Sequence, residues 1–476
     1  MKQLAILTFV LCLLTDYPAR AETSQSNQRL IVLTDIEADP DDTQSLVRLL
    51  LYSNSIDVEG LIATTSVWQK TRVAPESIRR VIGAYGEVQP NLCLHEAGYP
   101  DADSLLAVVS EGPTVYGMKG VGEGKDSPGS ERIIELLEKD DLRPLWISVW
   151  GGVNTLAQAL HKINTSKPKA EARSLISKLR VYAISDQDDS GIWIRNNFPE
   201  LFYIVSPGDH YGSATWSAIN TVVDGIDNHR ISNSWLAQRI QQGHGPLGAA
   251  YPDVTWGMEG DTPAFLSLIP NGLNAPERPD WGGWGGRYEL EKPAFDAARK
   301  GSSGVPHQPE TREIWTDASD NYTPFVASEF GLAMQPGKDS FSGNKVTLWR
   351  WRNDFQNDFA ARMNWCIATY EAANHPPVPL LSHSDDLTVE SGGGLSLDGS
   401  GSVDPDGDSL SYQWFNYPEA GSLEDPISPP RNRPSVWLKM PKVEETETAH
   451  FILRVTDKGS PPLSRYKRVV VKIVPR

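Results

Sequence analysis

Residues 29–42 read RLIVLTDIEADPDD, and this stretch decides the fold of the chain. It opens with a continuous apolar run that has the length of a buried strand, and it ends in a turn crowded with acidic side chains. Directly after it, residues 42–52 place Leu46, Leu49 and Leu50 at helical spacing. The stretch therefore predicts a buried strand, an acidic turn and a helix.

The alternation of apolar strand and amphipathic helix continues outward along the chain. Further strands are predicted at 58–66, 143–152, 181–186 and 201–207, and further helices at 75–85, 154–163 and 174–179. Such repetition predicts an α/β fold, in which an open and mostly parallel sheet carries helices on both faces. Residues 208–350 are rich in Gly, Pro and Trp and are predicted to form long loops, and a last helix is predicted at 353–373.

Both ends of the chain differ from this pattern. Residues 1–21 have the basic start, the short apolar run and the small-residue end of a secretory signal peptide, which predicts cleavage near Ala21 and a secreted or periplasmic protein. No later segment is apolar enough for a membrane anchor. After His375, short alternating strands divided by Gly, Asp and Pro predict a small all-β sandwich. We therefore predict a signal peptide at 1–21, an α/β domain at 22–375 and a sandwich domain at 376–476.

The net charge and the absence of known motifs limit the classes of partner and of enzyme that the sequence favours. The chain has 44 Lys and Arg against 61 Asp and Glu, a net charge of −17, which argues against a nucleic-acid polymer and favours a small-molecule or glycan substrate. The motifs HExxH, GxSxG and GxxxxGK[ST] are absent, so zinc proteases, α/β-hydrolases and P-loop enzymes have no local support. The sequence leaves open the oligomeric state and whether Cys93 pairs with Cys366.

Five carboxylates crowd the C-terminal end of the first predicted strand. They are Asp35, Glu37, Asp39, Asp41 and Asp42. Ligands of open α/β sheets bind at this end of the strands, and hard cations such as Ca²⁺ select carboxylate oxygens. A bound cation would relieve the mutual repulsion, whereas an acidic turn with Asp42 as the helix N-cap is the alternative. An N-cap role explains one of the five acids, and the residues alone leave both interpretations open.

The stretch TDIEADPDD at 34–42 resembles the Asp-rich motif of nucleoside hydrolases, in the longer-spaced version found in the nucleoside-hydrolase-like domain of the cellulose-binding protein family. Further segments resemble the same family: WGGVNTLAQAL at 150–160, GMEGDTPAFLSLIPNGL at 257–273, WGGWGGRYE at 281–289 and LWRWRNDFQNDFAARMNW at 348–365. The resemblance spans about residues 29–373 and implies a nucleoside-hydrolase type of α/β fold. The stretch DPDGD at 404–408 resembles a turn of PKD-like or Ig-like sandwiches.

The resemblance also implies a cofactor and site residues. It makes Asp35, Asp42 and Asp261 carboxylate ligands of Ca²⁺, and Asn154 a main-chain carbonyl ligand. Asp35 would also be the base for an attacking water, and Asp41 would face the hydroxyl groups of a sugar ring. This agrees with general chemistry, because a cation lowers the pKa of a coordinated water while a neighbouring carboxylate takes its proton. The implied activity is Ca²⁺-dependent hydrolysis of a glycosyl bond.

Two departures from the nucleoside-hydrolase pattern favour an alternative function. Leu33 stands where nucleoside hydrolases usually carry their first Asp, and Gly260 stands where many relatives carry a His. The alternative is a non-catalytic carbohydrate-binding or cellulose-binding protein with a degenerate hydrolase site. Whether the protein is an enzyme stays open at this point, because the hydrolase is favoured by four acids that the chain retains: Asp35, Asp41, Asp42 and Asp261.

Five other residues are candidates by type and position. Glu259 and His244 are candidates to protonate a leaving group. Asp186 lies at the end of another predicted strand and is a candidate to line the same crevice. Trp281 and Trp284 are candidates to stack on a sugar or a base, with packing of their Gly-rich loop as the alternative.

Overall fold

The structure is a computed structural model of the chain. It describes residues 26–209, 211–212, 215–295, 303–327 and 334–476. The predicted signal peptide at 1–21 lies outside the described residues. Among the described helices, none is long and apolar enough to cross a membrane.

Eight strands form the central sheet of the molecule. They are β1 (Gln28–Thr34), β2 (Ile56–Ala63), β3 (Val109–Glu111), β4 (Leu145–Val149), β5 (Leu179–Ser185), β6 (Phe202–Ser206), β7 (Tyr288–Glu291) and β8 (Ile314–Asp317). Their order is β3-β2-β1-β4-β5-β6-β8-β7, and all neighbours are parallel except the antiparallel pair β7 and β8 at one edge. The predicted open and mostly parallel sheet is confirmed.

Helices cover both faces of this sheet. They are α1 (Asp41–Leu50), α2 (Pro75–His95), α3 (Ala102–Leu106), α4 (Pro128–Glu138), α5 (Asn154–Ser166), α6 (Lys169–Ile176), α7 (Ser190–Asn197), α8 (Thr215–Ala218), α9 (Asn233–Leu236), α10 (Gly245–Ala250), α11 (Pro263–Leu266), α12 (Val346–Trp349) and α13 (Arg352–Trp365). Successive residues of β1 point to opposite faces, so Leu30 and Val32 pack with α1, α2 and α13, whereas Ile31 and Leu33 pack with α4, α5 and α7. Strand β1 is therefore buried on both sides.

The loop region at 208–350 contains strands that the sequence pattern did not predict. Strand β8 joins the central sheet beside β6, although only four residues long. Four more short strands pair as two small ribbons: β9 (Asp320–Tyr322) with β12 (Phe341–Gly343), and β10 (Phe325–Ala327) with β11 (Met334–Pro336). Short runs among Gly and Pro carry too little periodicity to be recognised as strands.

The C-terminal part is all-β, as predicted. Its strands are β13 (Asp386–Glu390), β14 (Gly394–Asp398), β15 (Ser411–Asn416), β16 (Ser435–Lys439), β17 (Glu447–Thr456) and β18 (Ser464–Val474). A four-stranded sheet in the order β13-β18-β17-β15 packs on the pair β14 and β16 around Leu397, Trp414 and Phe451. The boundary at 375 and 376 stays a prediction.

Polar contacts join the C-terminal sandwich to the α/β part. Arg468 donates to the main-chain carbonyls of Leu273 and Gly282 at 2.8 to 3.2 Å. The Tyr417 hydroxyl donates to Asp320 at 2.7 Å. These side chains are buried, so their hydrogen bonds form part of one packed interface.

The structure also settles the state of the two described cysteines. Cys93 is exposed and Cys366 is buried, and both are free thiols.

Candidate active site in an acidic cavity with an aromatic mouth

A cavity of about 460 Å³ lies at the carboxyl edge of the central sheet. Its lining residues are Asp35, Ala38, Asp39, Asp41, Asp42, Trp68, Trp150, Gln187, Tyr211, Trp216, Trp256 and Asp261. Asp35 directly follows β1, Trp150 directly follows β4, and Gln187 lies two residues beyond β5. The cavity therefore occupies the place where parallel α/β sheets bind their ligands.

Local hydrogen bonds shape the acidic turn between β1 and α1. The Ala38 amide donates to the Asp35 carbonyl at 2.9 Å, and the Asp41 amide donates to an Asp39 carboxylate oxygen at 3.1 Å. A side chain at Gly151 would place its Cβ 2.5 Å from an Asp35 carboxylate oxygen, so the turn after β4 needs glycine there. The turn is thus packed closely against the end of β4.

Glu37 is the one acid of the turn whose side chain does not line the cavity. Its backbone has a φ of 84°, a left-handed conformation that is uncommon outside glycine. Its carboxylate pairs with Arg72 at 2.6 Å and with Arg80 at 3.4 Å, and it accepts a hydrogen bond from Ser77. These contacts hold the side chain outside the cavity.

The other acids of the turn are crowded in the cavity. Oxygens of Asp39, Asp41 and Asp42 lie within 4.8 Å of one another. Burial raises the pKa of Asp35 to about 7, and repulsion from Asp39 adds to the shift. Burial, followed by repulsion from neighbouring acids, also raises the pKa of Asp42 and of Asp261 well above the usual value. Each raised pKa means that the contacts of the ionised carboxylate do not offset the cost of burying its charge.

Neutral groups provide the described hydrogen bonds to the cluster. Thr34 donates to Asp42, and the indole Nε1 of Trp216 donates to Asp41 at 2.6 Å. Among the described residues, no Lys or Arg forms an ion pair with Asp35, Asp42 or Asp261, in contrast to the paired acids elsewhere in the fold. Buried carboxylates without a cationic side chain suit a hard metal ion that binds through oxygen. Asp39, Asp41 and Asp42 are close enough to share an ion, and Asp35 and Asp261 line the same cavity, so these five acids are the residues that could hold it.

The N-cap interpretation of Asp42 is wrong. Helix α1 begins at Asp41, and its N-cap residue is Pro40, which makes no side-chain capping hydrogen bond. The Asp42 carboxylate accepts from Thr34 instead, so it points back toward the end of β1.

Asn154 lies beside the cavity but does not line it. It is the first residue of α5, and its amide donates to Asp188 at 3.1 Å. Its side chain donates to Thr65 and to the carbonyl of Val115. These contacts involve no member of the acidic cluster.

The structure does not support Glu259 and His244 as acids for a leaving group. Glu259 is fully buried, pairs with Arg48 at 2.6 Å and accepts from the Tyr251 hydroxyl at 2.7 Å. A carboxylate that is held by a guanidinium and shielded from solvent has no access to a substrate. His244 precedes α10 and is absent from the cavity lining.

Three further candidates also lie outside the cavity. Asp186 forms a two-pronged ion pair with Arg195 at 2.8 and 2.9 Å, which turns its carboxylate into the core. Trp284 is fully buried, and Trp281 packs edge-on against His450 at 4.7 Å between ring centres. The alternative interpretation of these two tryptophans, packing of their loop, is the one that the structure supports.

Several lining residues were missed by the sequence analysis. Trp68 follows β2 and lies 53% exposed, and Trp256 lies 78% exposed in the loop region. Tyr211 and Trp216 come from the same long loop region. The position of Trp68 just after a strand was the only signal in the sequence, because the others depend on how the loops fold back over the sheet.

Comparisons with known proteins agree with this architecture. The family model described as "Cellulose-binding Sde182, nucleoside hydrolase-like domain" matches residues 29–288. The chain belongs to this family. The model described as "Cellulose-binding protein Sde0182, C-terminal domain" matches residues 394–473 of this Sde182 family member. The resemblance found in the sequence is therefore confirmed.

A solved structure supports the same assignment of the Sde182 family member. It is a nucleoside hydrolase-related hypothetical protein from Saccharophagus degradans that is described as associated with carbohydrate metabolism. The two chains are 37% identical with a TM-score of 0.77, and the match covers 95% of this chain and 100% of that chain. No curated protein matches the chain.

The crowded acids predict that the stability of the metal-free protein falls as pH rises toward neutrality. A carboxyl group whose pKa rises to about 7 on folding, as at Asp35, stays protonated in the folded state after the unfolded chain has lost that proton. Its stabilising contribution is present below about pH 4 and is lost as pH rises toward 7. In chelator, we expect wild type to lose roughly 1–4 kcal/mol more than Asp35→Asn over this window, because one pKa unit is about 1.4 kcal/mol. Urea unfolding at several pH values measures this difference, and equal losses would contradict it.

Proposed function

We propose that this protein is a secreted, Ca²⁺-dependent hydrolase that cleaves glycosyl bonds in carbohydrate. One observation carries the proposal: buried acids without a described cationic partner form the floor of a cavity whose mouth is aromatic. Acids provide the ligands and the base, and aromatic rings suit sugar faces. Membership of a cellulose-binding family supports a carbohydrate ligand.

The residues of the cavity have distinct roles in this proposal. Asp35, Asp42 and Asp261 would hold the cation, and the closeness of Asp39 to Asp42 supports Asp39 as a further oxygen donor. The main-chain carbonyl of Asn154, which lies beside the cavity at the start of α5, would have to reach the ion to complete the set. When bound, the cation lowers the pKa of a water at the site. Asp35 would take the proton of the attacking water as its oxygen bonds to the anomeric carbon and the glycosyl bond breaks, and a second water molecule would protonate the leaving group. The surrounding negative charge favours a transition state with oxocarbenium character.

Asp41 is the proposed sugar-binding residue. Trp216 fixes its orientation through the hydrogen bond to one carboxylate oxygen. A carboxylate has about four acceptor sites, so Asp41 still has room to accept from sugar hydroxyl groups.

Non-catalytic carbohydrate binding is the second candidate function. It is favoured by the positions of Glu259 and His244, because neither lines the cavity in which a leaving group would need a proton. A hydrolysis screen of nucleosides and plant-cell-wall glycans, with and without chelator, separates the two functions. The hydrolase predicts turnover that chelator abolishes and Ca²⁺ restores, whereas binding without turnover on every substrate would favour the second function.

Removal of one cluster carboxylate is expected to weaken cation binding. Asp42→Asn and Asp261→Asn each remove a negative charge from a buried site, so calorimetry should show Ca²⁺ affinity falling by roughly tenfold or more. Asp253→Asn is the matched control, because Asp253 is exposed and does not line the cavity. Wild type should gain about 2.7 kcal/mol of stability when Ca²⁺ is present at a hundred times its dissociation constant. Unchanged affinity in both cluster variants would contradict the proposed site.

A further inference from the structure

The chemistry of the cavity wall restricts the kind of sugar that it accepts. Five of the described lining residues are carboxylates, and none is Lys, Arg or His. The side-chain amide of Gln187 donates to the carbonyl of Trp150, so one of its two N–H groups is already engaged within the protein. Sugar hydroxyl groups donate hydrogen bonds to such a wall. Phosphate and uronate groups only accept near neutral pH, and a divalent cation offsets two of the five formal charges of the acids.

A series of contacts between aromatic side chains connects these acids to the mouth of the cavity. Trp216 donates to Asp41, and the Tyr211 ring lies edge-on to Trp216 with 5.6 Å between ring centres. The Tyr211 hydroxyl accepts from the indole Nε1 of Trp68 at 3.1 Å. This chain of contacts sets the orientation of Trp68 before any ligand arrives, which lowers the entropy lost on binding.

Two tryptophans of the mouth leave their rings in solvent. Trp68 is 53% exposed and Trp256 is 78% exposed, although both line the cavity. Exposed large aromatic side chains beside a cavity are typical of binding sites, and their flat faces pack against the C–H faces of sugar rings. By contrast, Trp150 at the cavity is 1% exposed and belongs to the core.

The depth of the cavity indicates which part of a glycan enters it. Asp35, Asp42 and Asp261 are each at most 3% exposed, so they lie deep in the cavity while the two tryptophans reach solvent. A volume of about 460 Å³ lies in the lower half of the usual range of ligand pockets, about 300–1,000 Å³. Such a cavity takes the end of a chain.

We propose that the cavity binds the end of a neutral glycan, with the terminal ring against the acids and the adjoining ring stacked on Trp68 and Trp256. The two tryptophans then form a subsite for the leaving group and select against uronic-acid and phosphorylated ligands. This inference rests on the proposed function, and it adds the substrate class and the residues that recognise the second ring.

Calorimetric titration of the full chain at saturating Ca²⁺ tests the substrate class. The probes are the neutral tetrasaccharides of glucose, xylose and mannose from plant cell walls, together with a tetragalacturonate of the same length. At least one neutral probe should bind tenfold or more tightly than the uronate. Equal or tighter binding of the uronate, or no binding of any neutral probe, overturns the inference.

Substitutions test the subsite itself. Trp256→Ala and Trp68→Ala should each weaken binding of the neutral probe by about 3- to 10-fold, and Trp256→Phe, which keeps a ring face, should recover most of the loss. Trp437→Ala is the matched control, because Trp437 is 62% exposed on β16 of the C-terminal sandwich. Unchanged binding in both Trp68→Ala and Trp256→Ala, or an equal loss in the control, overturns the assignment. Turnover is assayed in parallel, so that tight neutral binding without turnover supports the subsite while contradicting the hydrolase.

Discussion

Asp35→Asn is expected to lower glycosyl hydrolysis by about 10²–10⁴-fold while the fold stays intact. Asp35 is 2% exposed and lines the cavity at the end of β1. An amide keeps the shape of the side chain and still offers an oxygen to a cation, but it cannot take a proton from the attacking water. Turnover of the best substrate is compared with thermal melting of the same variant at saturating Ca²⁺.

Glu37→Gln is the matched control for this variant. It makes the same change from acid to amide in the same turn, but the side chain lies outside the cavity beside Arg72 and Ser77. Turnover of Glu37→Gln should therefore stay within about twofold of wild type. Full activity in Asp35→Asn would exclude it as the base.

Asp320→Asn is expected to destabilise the folded protein by about 3–5 kcal/mol. Asp320 is fully buried and accepts from Arg287 at 2.7 Å, from Arg350 at 2.8 Å and from Tyr417 of the C-terminal part at 2.7 Å. Loss of its charge removes the fully buried counter-ion that the two guanidinium groups share. The midpoint of chemical unfolding at pH 7 measures the effect.

The control for Asp320 is the exposed partner of the same arginine. Glu289 is half-exposed and pairs with Arg287 at 2.9 Å, so Glu289→Gln should cost about 1 kcal/mol or less. Similar losses in the two variants would show that burial of Asp320 does not decide its contribution.

Sequence periodicity predicted five of the eight strands of the central sheet, β1, β2, β4, β5 and β6, because a strand buried on both faces leaves a local pattern of apolar residues. The prediction holds for β1, α1 and the repeats that follow them. It stopped short in α2, which extends to His95, and it ran too far in α13, which ends at Trp365. Helix ends depend on packing as well as on the residues themselves.

The acids of the turn could be found from the sequence because they are neighbours in the chain. Asp35, Asp41 and Asp42 follow one strand within a few residues, and the carboxyl end of such a strand is the usual place for a ligand. Asp261 lies far away in the chain and entered the prediction only through resemblance to a family. The structure brings it to the same cavity.

Partners distant in the chain explain where the other candidates failed. Glu259 pairs with Arg48, which is 211 residues away, and Trp284 is covered by Tyr466 at a separation of 182 residues. A carboxylate or an indole in a loop looks the same in sequence whether it faces a substrate or a buried partner. Its role depends on what the fold places beside it.

The sequence by itself determined the α/β repeat, the all-β C-terminal part and the acidic turn, since each depends on residues that are close together in the chain. Only the tertiary structure decided which acids share the cavity, that Glu37 leaves it, and that Trp68 and Trp256 stand at its mouth. The physical reason is that burial and electrostatic pairing depend on distance in space. Loops that are far apart in sequence meet only after the sheet has brought their ends to one edge.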